Sequence, residues 1–456
     1  MIVKEKLKTL LLTVLVVTSL LFSLGIWSIT PQYEAIDGPQ FASNVAISDP
    51  SFERSLHNVL GPRSIYLHRG EDKHQVLFPG QSGYETGMEL LTLATFFDIK
   101  LETSFQDAEW RKLTGDGPSL QFDFDAVVPI TLLNESELLH FTSRLEPFMN
   151  VKTFYLYPNG GNEFRAVFVA NADMIYSANV VLPRDPFNRL FEAEKSAPLY
   201  KLYGSSLLRH FYLPIKRPKV YSYSLDVNRV IDTERLVDSF FLDKSLTRRV
   251  VEREGSEIVT DGNRVVRIDK LGQLIQYRNL SLEETRFNQL EEDTGITNSL
   301  DFANAHGGFM GTVMIHQVRT IRPSEMVGRQ FEFRPNVEGL SVIGDLSSVA
   351  VQVVNNDVAA MRRSPLMTGA KPVRGPLIET LSGSEVIELV ERNALLKTSR
   401  VTDVYQAYLM GDERRNHAQL RPVWVVEQAG DYREAIFDAV TGEELRTEEG
   451  MIRGLE

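Results

Sequence analysis

The sequence predicts an α+β protein tethered by an N-terminal transmembrane helix and carrying several domains outside the cytoplasm. Three observations predict this. A charge-free apolar stretch opens the chain, helical and strand-like periodicities follow in mixed order rather than in strict alternation, and cysteine is absent from all 456 residues. With 43% hydrophobic and 24% charged residues the chain has the composition of folded domains, and its length is enough for two to four of them. The formal charge of −12 argues against a general nucleic-acid binder, which needs a clustered basic surface. The lack of cysteine removes disulfides, Cys-ligated metals and thiol nucleophiles, and an exported chain of this kind fits a Gram-positive bacterium.

Thr9 to Ile29 carries no charge and is rich in Leu, Val, Ile and Phe. About 21 residues at about 1.5 Å each span roughly 31 Å, the thickness of a bilayer's hydrocarbon core, which is longer than a cleaved signal requires. Lys4, Lys6 and Lys8 precede the span, and the next basic residue is Arg54, so residues 1–8 are expected in the cytoplasm and the rest outside. Trp27 and Tyr33 are expected at the outer interface. On a helical wheel Thr9, Thr13, Val16, Ser19 and Ser23 share one face, and small or hydroxylated residues there let transmembrane helices approach a partner.

Residues 30–50 read as a stalk, 51–205 as a first α+β domain, 206–290 as a central one and 291–456 as a C-terminal one. In the first, Glu85 to Phe97 and Asn134 to Arg144 read as helices. Gln121 to Val127, Phe154 to Tyr157, Arg165 to Ala170 and Met174 to Leu182 read as strands, three of them divided by Asn/Gly and Asn/Asp turns. In the second, Val220 to Val227 alternates as a strand, Asp232 can cap a helix running to Leu242, and a meander of Glu257–Thr260, Arg264–Ile268 and Leu274–Tyr277 follows. Ser281-Leu282-Glu283-Glu284 and Ser382-Gly383-Ser384-Glu385 are capping-box patterns, each expected to open a helix. Strands are expected at Gly311–Arg319, Gln330–Phe333, Leu340–Ile343, Val349–Val354, Asp403–Met410, Pro422–Gln428 and Glu434–Asp438. The tail, a helix on an antiparallel sheet, resembles cystatin-like or PepSY-like modules.

No catalytic residue, cofactor or metal site is expected. The phosphate-loop, dinucleotide and H-E-x-x-H signatures are absent, and Gly80-Gln81-Ser82-Gly83-Tyr84 breaks the nucleophile-elbow pattern at its last position. His57, His68 and His74 have spacings that put no two on adjacent turns of a helix. Asp123 and Asp125 are expected on the solvent side of a strand whose other side is Phe122, Phe124 and Ala126. His306-Gly307-Gly308 reads as a helix terminus, and Arg362, Arg363, Lys371 and Arg374 as a solvated basic loop.

The whole chain resembles the YycH family. The resemblance rests on the Lys-flanked span ending Ile26-Trp27-Ser28-Ile29-Thr30-Pro31-Gln32-Tyr33-Glu34 and on Phe241-Leu242-Asp243-Lys244-Ser245-Leu246. It continues through Val259-Thr260-Asp261-Gly262-Asn263-Arg264, Tyr277-Arg278-Asn279 and Asp301-Phe302-Ala303-Asn304-Ala305-His306-Gly307-Gly308-Phe309. Val259 and Phe309 stand where the family pattern has Tyr and Trp. The resemblance implies a membrane-anchored, non-enzymatic regulator of the WalK/YycG sensor histidine kinase of the cell-wall two-component system, partnered by YycI. It also implies that the central and C-terminal parts look like YycI. The rival readings are an extracytoplasmic ligand-binding or protease-inhibitor module and an envelope hydrolase.

Overall fold

The computed structural model describes residues 50–445 except 104, 147, 161–162, 172–173, 230, 285–291, 310, 322–326, 345, 369–371, 394–395, 397, 412–416 and 430–433, together with 14–16 and 18–19. The chain forms two compact units, Met1–Ser43 and Asn44–Glu456. In the first, residues 14–16 and 18–19 are helical, which includes Val16 and Ser19. Lys4, Lys6, Lys8, Thr9, Thr13, Ser23, Trp27 and Tyr33 lie outside the described residues. Among the described residues no helix is long and apolar enough to cross a membrane.

The second unit is a mixed α+β body with two large sheets. The ten described strands of the first sheet run Arg209–Pro214, Tyr200–Ser206, His74–Leu77, Ser64–His68, Ser119–Pro129, Asn150–Pro158, Phe164–Asn171, Met174–Val181, Thr95–Leu101 and His140–Phe141. All of its pairs are antiparallel except the last. Ser119–Pro129 crosses its middle because Phe122, Phe124 and Ala126 alternate toward a stack of Phe154 and Phe168, with ring centroids 4.5 Å apart for Phe122 and Phe154.

The second sheet begins at Lys219–Arg229 and takes in strands on both sides of residue 290, so one sheet spans the two regions divided there by sequence. Glu257–Thr260, Arg264–Ile268 and Ile275–Asn279 form the expected three-strand meander, Arg248–Val251 adds a fourth strand at the sheet's edge, and Ile275–Asn279 pairs with Asp357–Arg363. Toward its other end lie Val401–Met410, His417–Gln428 and Ala435–Asp438, with helix Gly383–Arg392 laid across them, and beyond them Lys219–Arg229 and Leu366–Thr368 close the order. That helix starts as expected: Ser382 and Glu385 form a capping box, and Val386 and Val390 pack on Val404, Trp424, Val426 and Phe437. The cap on helix Thr233–Ser239 is also as expected, Asp232 accepting from the Glu234 and Arg235 amides.

Four local expectations are corrected. The first helix is Ser82–Leu93, and Thr95-Phe96-Phe97, β-branched and aromatic, passes into strand Thr95–Leu101. The second is only Ile130–Glu135, because Glu137 takes a left-handed φ of 62° and the Leu138 and Leu139 amides both close on the Leu133 carbonyl. Ser281 sits inside the 3-10 turn Leu280–Glu284 with its hydroxyl on Asn279 Oδ1, at 2.6 Å, rather than in a cap, and helix Glu292–Ala305 follows. The basic loop is largely strand, Asp357–Arg363 and Val373–Glu379.

The two sheets are joined at their sides. Leu213 of the first sheet packs into the core under helix Gly383–Arg392, and a Cβ on Gly383 would lie 2.3 Å from the Leu213 Cβ. Residues before the first strand are pinned by the second sheet's helix: the Phe309 amide donates to the Phe52 carbonyl, and the Asn304 amide group brackets the Arg54 backbone.

Candidate functional site

Strands Ser119–Pro129 and Gly328–Val337 share a pattern, Phe122-Asp123-Phe124-Asp125 in one and Phe331-Glu332-Phe333-Arg334 in the other. The apolar members enter the core of each sheet. The charged members face the junction between the sheets, where they meet Arg63, His316, Asp403, Glu427 and Glu434. Asp123 and Asp125 are therefore not on a solvent face; their side chains are 14% and 7% exposed.

Arg63 is the hub on the first sheet's side. Its amide donates to the Asp123 carbonyl, which places the guanidinium 2.9 Å from Asp123 Oδ2, 3.2 Å from Asp125 Oδ1 and 2.7 Å from Asp403 Oδ2 of the second sheet, with the Tyr405 ring beneath it at 4.8 Å. Burial acts to lower the Arg63 pKa, but Asp403, Asp125 and Asp123 outweigh it and hold the guanidinium charged. Thr153 donates to Asp123 Oδ1, and Lys152 donates to the Asp125 carbonyl.

His316 is the hub on the other side. It sits at a bulge in the pairing of Thr312–Ile321 with Gly328–Val337, between Ile315 and Gln317. A second register shift brackets Asp125, between Asp123 and Val128, and a third precedes Asp403. Bulges re-aim side chains, and here three of them turn these residues into one seam. His316 Nδ1 lies 3.3 Å from Asp125 Oδ2, and Nε2 lies 3.4 Å from Glu434 Oε1 and 4.0 Å from Glu427 Oε1. Arg334 reaches Glu434 and Glu332, each at 2.9 Å.

Burial and Arg334 both act to lower the His316 pKa, yet Asp125 and Glu434 prevail and raise it to about 9. Asp125 and Glu434 are held well below the ordinary carboxylate range despite burial, Asp125 by Arg63 and His316 and Glu434 by Arg334 and His316. Glu427 goes the other way, raised by burial and by Asp403. Asp403 and Glu427 are direct partners across the strand pair, where like charges repel.

The other residues singled out in the sequence can also be placed. His68 and His74 are directly paired in the antiparallel hairpin, their Nδ1 atoms 2.9 Å apart, although no helix could have joined them. Gln121 links His68 to His210, and Tyr212 packs on all three rings. Burial lowers His68 strongly, His74 to about 4, and His210, so the three imidazoles form a neutral polar core. His57 is elsewhere, with Nδ1 2.9 Å from the Ser136 carbonyl. His306 follows helix Glu292–Ala305, stacks on Phe240 and Phe302, and is lowered to about 4 chiefly by burial. The expected helix terminus is there: Gly307 and Gly308 have φ of 108° and 61°. Arg363 is 2% exposed and donates to the His306 and Gly308 carbonyls, so it supports this turn instead of a surface patch. Arg374 is exposed and pairs with Glu338 at 3.1 Å; Lys371 is outside the described residues.

None of Arg63, His316, Glu332, Arg334, Asp403, Glu427 and Glu434 stands out in the sequence as a site. The one available signal was the repeated alternation of aromatic and charged residues, which says that a strand has a charged side without saying what covers it.

Two large, mainly antiparallel sheets joined through a buried ionic seam define an α+β protein in which residues from both ends of the second unit build one site. The chain belongs to the YycH family: residues 5–182 match the YycH protein N-terminal domain and residues 208–439 match the YycH protein C-terminal domain. It is similar to the two-component system WalR/WalK regulatory protein YycH of Bacillus subtilis (strain 168), with 23% identity over 457 residues, covering 94% of this chain and 95% of that protein. Its fold is similar to the crystal structure of YycH from Bacillus subtilis, with a TM-score of 0.66 and 18% identity over 83% of this chain and 96% of that one.

Proposed function

We propose that this protein regulates a two-component system by binding a WalK/YycG-like sensor histidine kinase together with a YycI-like partner, without turning over a substrate. The reading is carried by the end-to-end similarity to the WalR/WalK regulatory protein. The N-terminal pattern supplies the location: residues 9–29 cross the cell membrane once, residues 1–8 are cytoplasmic, and the sheets act outside the cell. A regulator outside the membrane changes a kinase inside only by contacts whose free energy differs between two arrangements of the kinase.

The experiment is purification of the tagged full-length chain from native membranes, with the bound proteins identified and a reporter of the response regulator read in parallel. Co-purification of the kinase and a change in reporter output on deletion are expected. Retention of wild-type output on deletion, with no kinase recovered, overturns the proposal. Location is tested on the same chain, since it has no native cysteine. Cysteine placed by Ser384→Cys, at an exposed position, should react with an impermeant maleimide in intact wall-stripped cells. Reaction only after membrane rupture rules out the topology.

A further inference from the structure

The seam holds an arrangement that ion pairing alone does not explain. The buried or half-buried carboxylates of Asp123, Asp125, Asp403, Glu332, Glu427 and Glu434 outnumber the fixed cations set against them, Arg63, Arg334 and Lys152. Excess negative charge in a low-dielectric setting is costly and calls for protons or a cation. The excess is concentrated where Asp403 faces Glu427 across the strand pair and where Glu434 arrives from the following strand connection.

At this point His316, Glu427 and Glu434 each present one donor atom, and the three donors lie within 4.8 Å of one another. A tetrahedral ion with bonds of about 2.0–2.1 Å has donor–donor edges of about 3.3 Å. His316 Nε2 is 3.4 Å from Glu434 Oε1 and 4.0 Å from Glu427 Oε1, and with donors spread over as much as 4.8 Å the widest edge closes by up to about 1.5 Å when an ion binds. Each donor residue has a further partner. Asp125 stands 3.3 Å from His316 Nδ1, the carboxylate–imidazole arrangement that aims the other ring nitrogen at a metal. Arg334 donates to Glu434 Oε1 at 2.9 Å and the Tyr405 hydroxyl to Glu427 Oε1 at 3.2 Å, so both share their oxygen with the ion.

We infer that His316, Glu427 and Glu434 form a binding site for a divalent transition metal, Zn²⁺ by the chemistry of one imidazole and two carboxylates, with water in the fourth position. Asp125 is the positioning residue. The ion ties two strands of the second sheet and the connection into a third together and, through Asp125, fixes them to the first sheet. The competing occupant is a proton: His316 then stays an imidazolium donating to Asp125 and Glu434. The two states are distinguishable because the metal takes the place of the Nε2 proton, so binding releases a proton and strengthens as pH rises.

The test uses the full-length chain in detergent, stripped with EDTA and titrated with ZnCl₂ by calorimetry in buffers of different ionisation enthalpy, with thermal unfolding read alongside. One zinc per chain, proton release and a raised unfolding midpoint are expected. Glu427→Gln, at a side chain 33% exposed, should weaken zinc binding at least tenfold while the metal-free protein stays folded. Asp125→Asn should weaken it by about 10–100-fold, the usual cost of losing an outer-shell partner. The exposed control Glu379→Gln should bind as the parent does. Absence of stoichiometric zinc binding to the parent, or equal zinc affinity in parent and Glu427→Gln, overturns the site and leaves the imidazolium as the seam's counterion.

Discussion

His316 carries its positive charge in a position that only folding creates, and that makes its contribution depend on pH. Its pKa is raised to about 9 from an unfolded value of about 6.5, so the stability it adds is fully present below about pH 6.5 and is lost as pH rises through about 9. Asp125 and Glu434 are lowered, so their contribution is present above the unfolded carboxylate value of about 4 and is lost as pH falls below it. In zinc-free protein the stability gap between parent and His316→Gln should therefore be wide at pH 6 and should narrow by pH 10; equal gaps at the two values exclude the charged imidazole. Arg63 answers for three carboxylates at once. Arg63→Met leaves them buried without their cation and should cost about 3–5 kcal/mol in denaturant unfolding, the range for breaking a buried pair. A loss within the surface range of about 0–1 kcal/mol would mean that water reaches the seam.

Helices and strands were legible wherever the reason for them is local. Ser382 and Glu385 announce a helix start because the capping box is a contact between residues three apart, and Ser382→Ala should lower stability by about 0.5–2 kcal/mol. No loss of helix protection in hydrogen exchange would show the cap to be dispensable. Leu138 and Leu139 misled because no glycine marks the left-handed turn at Glu137. Asp357–Arg363 was hidden because Arg362 and Arg363 look like surface; only the turn after the distant helix Glu292–Ala305 supplies the carbonyls that make Arg363 a core residue. The partner face expected on residues 9–29 is tested within the proposed function. Changing Thr13, Ser19 and Ser23 together to Leu should keep insertion yet weaken recovery of the kinase, since Ser/Thr hydrogen bonds in lipid are worth about 0.6 kcal/mol each. Regulation equal to the parent's at equal abundance would assign the signal to the sheets instead.

At the scale of the whole molecule the seam and the Leu213–Gly383 contact predict that the two sheets unfold together. Trp110 lies in the core of the first sheet and Trp424 in that of the second, so Trp110→Phe and Trp424→Phe variants leave one core reporter in each half. The two fluorescence transitions should share one denaturant midpoint, and separated midpoints would show two independently stable halves. The sequence could reveal each sheet's alternation but not this union, because Arg63 and Asp403 become neighbours only after the whole unit has closed. That closure has a consequence in time. On a growing chain, Arg63, Asp123 and Asp125 emerge long before Asp403, Glu427 and Glu434, so the early half waits with part of its charged face unmatched until nearly the last strand is made. A chain that stops short of Asp403 leaves Arg63 without one of its three carboxylate partners.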